Sequence, residues 1–381
     1  MTGQNGNTHI GRLSGANAPH SNQHPDFWRQ ILASNRNMRF TVFAAPALFA
    51  VTLLSCAFGQ EAPSPTGPPP KSNAPDTTVQ TGDPLQTLKI GVNIVNLYFS
   101  ARDKSGYITN LRKDDCDLAE DKVPQTIKAF TQEKNLPLTI GILLDTSGSQ
   151  ENVLSLEKQS GAEFLKDVLT PKDEAFVISF DINIDLLADY TNSPRELQRA
   201  IDQARINTGA TSGGITGNAK VGGTKLFDAV YLAAHDKLRQ EAGRKVLVLL
   251  TDGGEQGSDE TLKSAIEAAQ KANAIIYVIL IADRGAYAGT GFNYTGVGDM
   301  NQLTHETGGR VINVGNNGRK LQEAFDQIQD ELRTQYLVSY TPKNLEFDGK
   351  FRQIYLDCGK DLKITTRKGY YAFADGAAPN D

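Results

Sequence analysis

Two runs of apolar residues, each stopping at an aspartate, limit what this chain can fold into more than any other feature. Leu138 to Leu144 (LTIGILL) ends at Asp145 and is followed at once by Ser147 and Ser149. Val246 to Leu250 (VLVLL) ends at Thr251-Asp252-Gly253-Gly254. Short apolar runs bounded by turn formers read as strands buried on both faces, which occur in parallel sheets covered by helices. Open α/β sheets bind ligands outside the carboxyl ends of such strands, where the strand order reverses. Both aspartates are therefore expected at that crevice.

Helical and strand periods alternate around these two runs. Val153, Leu156, Ser160, Phe164 and Val168 keep a helical period over 152–169. Residues 175–180 and 182–190 read as two strands joined tightly around Asp181, hence antiparallel neighbours. Ser193-Pro194-Arg195-Glu196 places a serine cap, a first-turn proline and an acid at the start of a helix reaching Arg205. A glycine-rich loop over 207–223 precedes a helix over 224–239. A helix over 259–271, a strand over 274–281, helices over 299–307 and 318–333 and a strand over 310–314 complete the unit. The pattern predicts an α/β fold over 137–333: a doubly wound, mostly parallel sheet with one antiparallel edge strand.

The flanks, 85–136 and 334–374, change to the alternation of strands. Ile90, Val92 and Ile94, then Leu97 and Phe99, predict one long strand with a phase slip near Asn96, read as a bulge. Neither flank has enough strands to be stable alone. They are expected to pair, so that the α/β unit is an insertion in a small all-β, sandwich-like domain. Cys116 and Cys358 then lie one in each flank, either joined by a disulfide in an oxidising compartment or buried as two separate thiols.

Ahead of the β segment, 1–37 are polar and aperiodic and read as disordered or as an over-extended start, with Met38 as the natural one. Phe40 to Phe58 carry no charge. Three readings of 38–59 remain open: a signal peptide cleaved after Ala57-Phe58-Gly59, a retained span, or lipidation at Cys56 after a lipobox-like Leu53-Leu54-Ser55. Each places the remainder outside the cytoplasm, extracellular, periplasmic or anchored at the envelope, and touches the membrane only through this N-terminal segment. Residues 60–84 form a Pro-rich tether and 375–381 a tail. A net charge of -5 argues against nucleic acid as a partner.

Asp145, Ser147, Ser149, Thr224 and Asp252 are the candidate site. Alternate residues after a strand share a face, Asp252 ends the neighbouring strand, and Thr224 begins a helix after Gly222-Gly223. Oxygen groups alone suit a hard divalent cation, which keeps positions for water or an outside carboxylate. Taken singly, Asp145 or Ser147 also reads as a helix cap. The hydrolase reading fits poorly: Ser147 lacks the glycine of a nucleophile elbow, and His235 and His305 fall on predicted helices with no acid partner evident. No phosphate-cradling G-x-x-x-x-G-K-[ST] occurs.

DTSGS, GGTKLFDA and LLTDGGE, in that order, resemble the D-x-S-x-S, Thr and Asp motifs of the metal-ion-dependent adhesion site (MIDAS) in von Willebrand factor type A (VWFA) domains. The flanking ARDKSGYITNLRKDDCDLAEDKVPQTIKAF, IADRG, HETGGRV and LRTQYLVSYTPKN are similar to the VWFA-related family described from acidobacterial proteins. The resemblance implies Mg²⁺ or Mn²⁺, in preference to Ca²⁺, held by Ser147, Ser149 and Thr224 with Asp145 and Asp252 balancing charge. It implies a protein partner offering Asp or Glu, with no catalysis. Two departures stand out: a longer loop over 208–221, and Cys116 where an apolar residue is usual. The competing expectation is an assembly module of the cell envelope with no metal-dependent ligand; a hydrolase is a distant third.

Overall fold

The computed structural model describes residues 94–133, 136–207, 223–281 and 296–373. The segments read as a start, leader and tether (1–84), the expected strand residues Ile90 and Val92, the whole 208–221 loop and the tail from 375 lie outside them. The described residues fall within one compact unit, Lys89–Asp381. In chain order the strands are β1 (Val95–Arg102), β2 (Asp117–Glu120), β3 (Val123–Pro124), β4 (Ile127–Gln132), β5 (Leu138–Asp145), β6 (Glu174–Phe180) and β7 (Ile184–Thr191). They continue with β8 (Arg244–Thr251), β9 (Ala274–Leu280), β10 (Val311–Asn313), β11 (Tyr336–Tyr340), β12 (Phe351–Asp357), β13 (Lys363–Thr366) and β14 (Gly369–Tyr371). The helices are α1 (Leu154–Val168), α2 (Pro194–Gln203), α3 (Leu226–Leu232), α4 (Leu262–Ala272), α5 (Gly296–Thr307) and α6 (Gly318–Thr334).

The central sheet has six strands in the order β10-β9-β8-β5-β6-β7. All pairings are parallel except β6 with β7, the antiparallel edge. Every residue of β5, β8 and β9 is buried, because helices cover both faces. Ile140, Ile142, Leu144, Val246, Val248 and Leu250 share one core with α1, α2 and α6 through Phe164, Leu165, Ile201, Leu321, Phe325 and Ile328. Leu143, Leu247 and Leu249 alternate with them and are equally buried, on the side where α3, α4 and α5 pack. The order runs outward from β5 to β7 on one side and from β8 to β10 on the other. The reversal, and hence the crevice, lies between β5 and β8.

The two flanks do combine. One four-stranded sheet has the order β13-β1-β11-β4 and a second the order β14-β12-β2-β3, so each draws strands from both sides of the insertion. Their facing residues, among them Leu97, Phe99, Leu118, Tyr336, Val338, Ile354 and Leu356, form a separate core, as expected of a sandwich. Cys116 and Cys358 are joined by a disulfide within it. Glu331 of α6 fastens the insert to this sandwich: it accepts hydrogen bonds from Ser100 Oγ at 2.8 Å, Tyr107 OH at 2.8 Å and Arg310 Nε at 2.9 Å.

Three local expectations are corrected. The phase slip near Asn96 is no bulge, since Val95 to Phe99 pair with Tyr340 to Tyr336 in unbroken register. Val95, Leu97, Phe99 and Ala101 form the buried row while Ile94 points to solvent. The helix expected to run to residue 239 is α-helical only through Leu232 and continues to Leu238 in wider, π-type turns. His235 and His305 do have acid neighbours, Asp236 at 2.6 Å and Glu306 at 3.8 Å; each is simply the next residue in the chain, on a helix surface.

Candidate functional site

Parallel register fixes the two acids. Leu144 pairs with Leu250, so Asp145 and Asp252 leave the sheet side by side on neighbouring strands at the point where the order reverses. Neither is spent on a helix terminus. α1 starts after Val153 with no side-chain cap, and Ser147 heads the short 3₁₀ turn Gly148–Gln150 without capping it. The cap reading of Asp145 and Ser147 is thereby set aside.

Asp145 is wholly buried. Its Oδ1 accepts from the Ser147 amide at 3.0 Å and its Oδ2 from Thr251 Oγ1 at 2.6 Å. The Thr251 hydroxyl in turn accepts from the Gly253 amide at 2.9 Å, so the residue before Asp252 locks the two strand ends together. Ser147 Oγ and Ser149 Oγ lie 3.0 Å apart, which puts alternate hydroxyls on one side of the turn. Asp252 Oδ1 accepts from the Gly254 amide at 2.8 Å. Gly253 has φ +81°, a conformation that only glycine adopts without strain. A Cβ on Gly296, the first residue of α5, would stand 1.8 Å from the Gly253 carbonyl oxygen. This close backbone approach holds the Asp252 turn down on the sheet.

Thr224 arrives from the other side. Its backbone pairs with Gln256 in both directions at 2.9 Å, tying it to the segment that follows Asp252. Glu255 Oε2 accepts from the Leu226 and Phe227 amides at 2.9 and 3.1 Å, satisfying two of the free donors at the start of α3. Asp181 braces the opposite wall. Its carboxylate accepts from Thr146 Oγ1 at 2.9 Å and Asn207 Nδ2 at 3.1 Å, and its carbonyl accepts from the Lys225 amide at 2.8 Å. Thr251, Asp181 and Glu255 are absent from the sequence-derived site. Asp181 and Glu255 were visible only as turn residues, and the T-D-G-G run was the one hint at Thr251.

Electrostatically the site is acidic and buried. Burial in the first place, and the charge of Asp252 in the second, push the Asp145 carboxyl up to about 7, against the lowering effect of its hydrogen bonds from Ser147 and Thr251. Two buried like charges favour either a proton or a cation between them. Among the described residues no three His, Cys, Asp or Glu side chains come together to hold a metal ion. The donors here are two carboxylates and three hydroxyls, a set made for a hard, oxygen-seeking divalent ion and unsuited to a soft one. Asp145, Ser147, Ser149, Thr224 and Asp252 are the residues that can hold it.

The fold and site together define a doubly wound α/β module with an acidic, hydroxyl-rimmed switch point, carried on a disulfide-joined β-sandwich. No family model and no curated protein matches the sequence. Solved structures do resemble it. Proximal thread matrix protein 1 from the mussel byssus is 15% identical, with a TM-score of 0.42, over 56% of this chain and 51% of that one. A second structure of the mussel protein, 17% identical with a TM-score of 0.42, over 56% of this chain and 50% of that one, is described as having a zinc-occupied MIDAS motif. BatB from Bacteroides thetaiotaomicron is 16% identical with a TM-score of 0.37, covering 51% of this chain and 99% of that one. The vWF domain of the pilus tip protein Mfa5 from Porphyromonas gingivalis is 14% identical with a TM-score of 0.38, covering 52% and 96%. This chain thus spans about half the length of the mussel protein and nearly all of the two bacterial chains. At these identities and TM-scores the likenesses assign nothing to this chain; its fold class rests on its own strand order.

Proposed function

We propose that this chain is a metal-ion-dependent adhesion module, binding a carboxylate of a protein partner through Mg²⁺ or Mn²⁺ without catalysis. The observation that carries the reading is the placing of two buried acids, Asp145 and Asp252, at the ends of adjacent buried strands where the strand order reverses, with the Ser147 and Ser149 hydroxyls on the turn beside them. A bound divalent ion would balance the two acids and give an attachment point for an outside carboxylate. The chain's own residues do the rest. Asp145 and Asp252 set the charge of the pocket, Ser147, Ser149 and Thr224 add neutral oxygens, and Asp181, Thr251 and Glu255 keep the three loops in register. Ser147 Oγ contacts Ser149 Oγ, and a serine nucleophile would need a histidine relay in that place.

Export of the module is part of the proposal. A disulfide in the sandwich suits an oxidising compartment. Among the described residues no helix is long and apolar enough to cross a membrane.

The direct test is the melting temperature of the purified chain in EDTA and in excess MgCl₂ or MnCl₂, for the natural sequence and for Asp145→Ala. Divalent ions should stabilise the natural chain only. An equal shift in both would move the site elsewhere. Capture of a partner that survives EDTA would favour the assembly-module reading.

A further inference from the structure

α1, the helix that leaves the site, breaks a packing rule. Its buried residues are Leu154, Glu157, Ser160, Gly161, Phe164, Leu165 and Val168, a stripe at helical spacing in which Glu157 occupies a core position. Glu157 has no exposed surface, and neither of its carboxyl oxygens has a hydrogen-bond partner among the described residues. Burial first, and then the charges of Asp145 and Asp252, both of its own sign, hold its carboxyl well above the usual range. One further unsatisfied group lies on the same segment: Gln150, in the turn directly behind Ser149, is buried with both side-chain polar atoms unpartnered. Buried polar groups are almost always satisfied, and an exception calls for a bound water or ion. Other such groups are scattered over the described residues, at Arg244, Tyr277, Gln335 and Arg352, but Gln150 and Glu157 are the two on the segment that leads away from the candidate cation site.

We propose that Glu157 is a sixth oxygen-bearing member of the divalent-cation site, acting from its buried side. A cation between Asp145 and Asp252 supplies the opposite charge that Glu157 otherwise lacks, and Glu157 in return raises the affinity of the site from the shell behind its ligands, through its charge and a water held with Gln150. This inference rests on the reading of the site as one for a divalent cation. It adds a residue to that site which the D-x-S-x-S, Thr and Asp pattern does not contain.

The experiment is calorimetric titration of the full chain with MnCl₂, for the natural sequence, Glu157→Gln and Asp145→Asn, with melting temperatures of all three in EDTA. Glu157→Gln is expected to weaken Mn²⁺ binding about 10- to 100-fold, the usual effect of losing a supporting group around a metal, while its melting temperature in EDTA stays level or rises. A residue with only a structural role would not separate these readouts, because its loss lowers both or neither. A dissociation constant within twofold of the natural chain's overturns the proposal and leaves the five-residue site standing. Absence of Mn²⁺ binding by the natural chain overturns both. Should Glu157→Gln fail to fold, Glu157→Leu, which matches the apolar stripe of α1, answers the same question.

Discussion

Asp145→Asn should make the metal-free protein more stable while abolishing its response to divalent ions. In the folded chain the carboxyl titrates at about 7, against an ordinary value of 3.8. Folding therefore costs the ionised group about 4 kcal/mol at pH 8, at about 1.4 kcal/mol per pH unit. Asparagine carries no charge, so that cost disappears. It accepts one of the two hydrogen bonds that Asp145 now receives from Ser147 and Thr251, and losing the other costs about 1 kcal/mol. The net expectation in EDTA at pH 8 is a gain of about 3 kcal/mol, or about 6 to 12 °C at the sensitivity usual for a chain of this size. The natural chain should instead gain about 2.7 kcal/mol from divalent ion at a hundred times its dissociation constant, and the variant nothing. Differential scanning calorimetry in EDTA and in MgCl₂ measures both. A variant less stable than the natural chain in EDTA would refute the like-charge account, and a preserved MgCl₂ response would refute the role of Asp145.

The same charge conflict gives the metal-free protein a pH dependence. Because the folded pKa of Asp145 is raised, stability is lowest above pH 7 and increases as pH falls from about 7 toward 4; saturating Mg²⁺ should flatten the curve, and melting temperatures between pH 5 and 8 will show whether it does. Glu255→Ala removes the acceptor for the Leu226 and Phe227 amides and should cost about 1–3 kcal/mol in urea unfolding, with weaker Mg²⁺ binding because the start of α3, next to Thr224, loses its side-chain tie to the Asp252 loop. Glu331→Ala leaves Arg310 without its buried partner and should cost about 3–5 kcal/mol, while Mg²⁺ affinity, measured by calorimetry, stays within twofold.

The site was legible in the sequence where burial and chemistry left the same mark. Fully apolar runs are rare outside covered parallel sheets, so the acids that end them stood out, and the order of β5 and β8 as central neighbours followed from a known topology. Ser193 was equally plain: its hydroxyl accepts from the Glu196 amide, as a serine ahead of a proline should. Glu157 was not legible, because a charged residue in a helical pattern reads as a solvent face. The periodicity instead favoured Leu156, which the structure leaves only partly buried beside Glu157. Asp181, Thr251 and Glu255 hold loops that are distant in sequence, and nothing local to them announces a long-range partner. The supposed slip at Asn96 arose because Ile94 looks like a core residue, although its side chain is exposed. Single apolar residues at a strand's start carry little weight against the register of a whole ladder.

The position of the disulfide has a mechanical consequence. Cys116 and Cys358 are 242 residues apart in sequence, and the whole α/β insert lies between them. Tension applied between residues 94 and 373 would travel along β1 to Cys116, cross the sulfur bridge, and leave through β13 and β14. The insert, with its loops, is bypassed. Pulled between these two points, the oxidised chain does not load the candidate site. Under a reductant the same pull would run through α1 and the Asp145 turn, and the candidate site would lie on the loaded path.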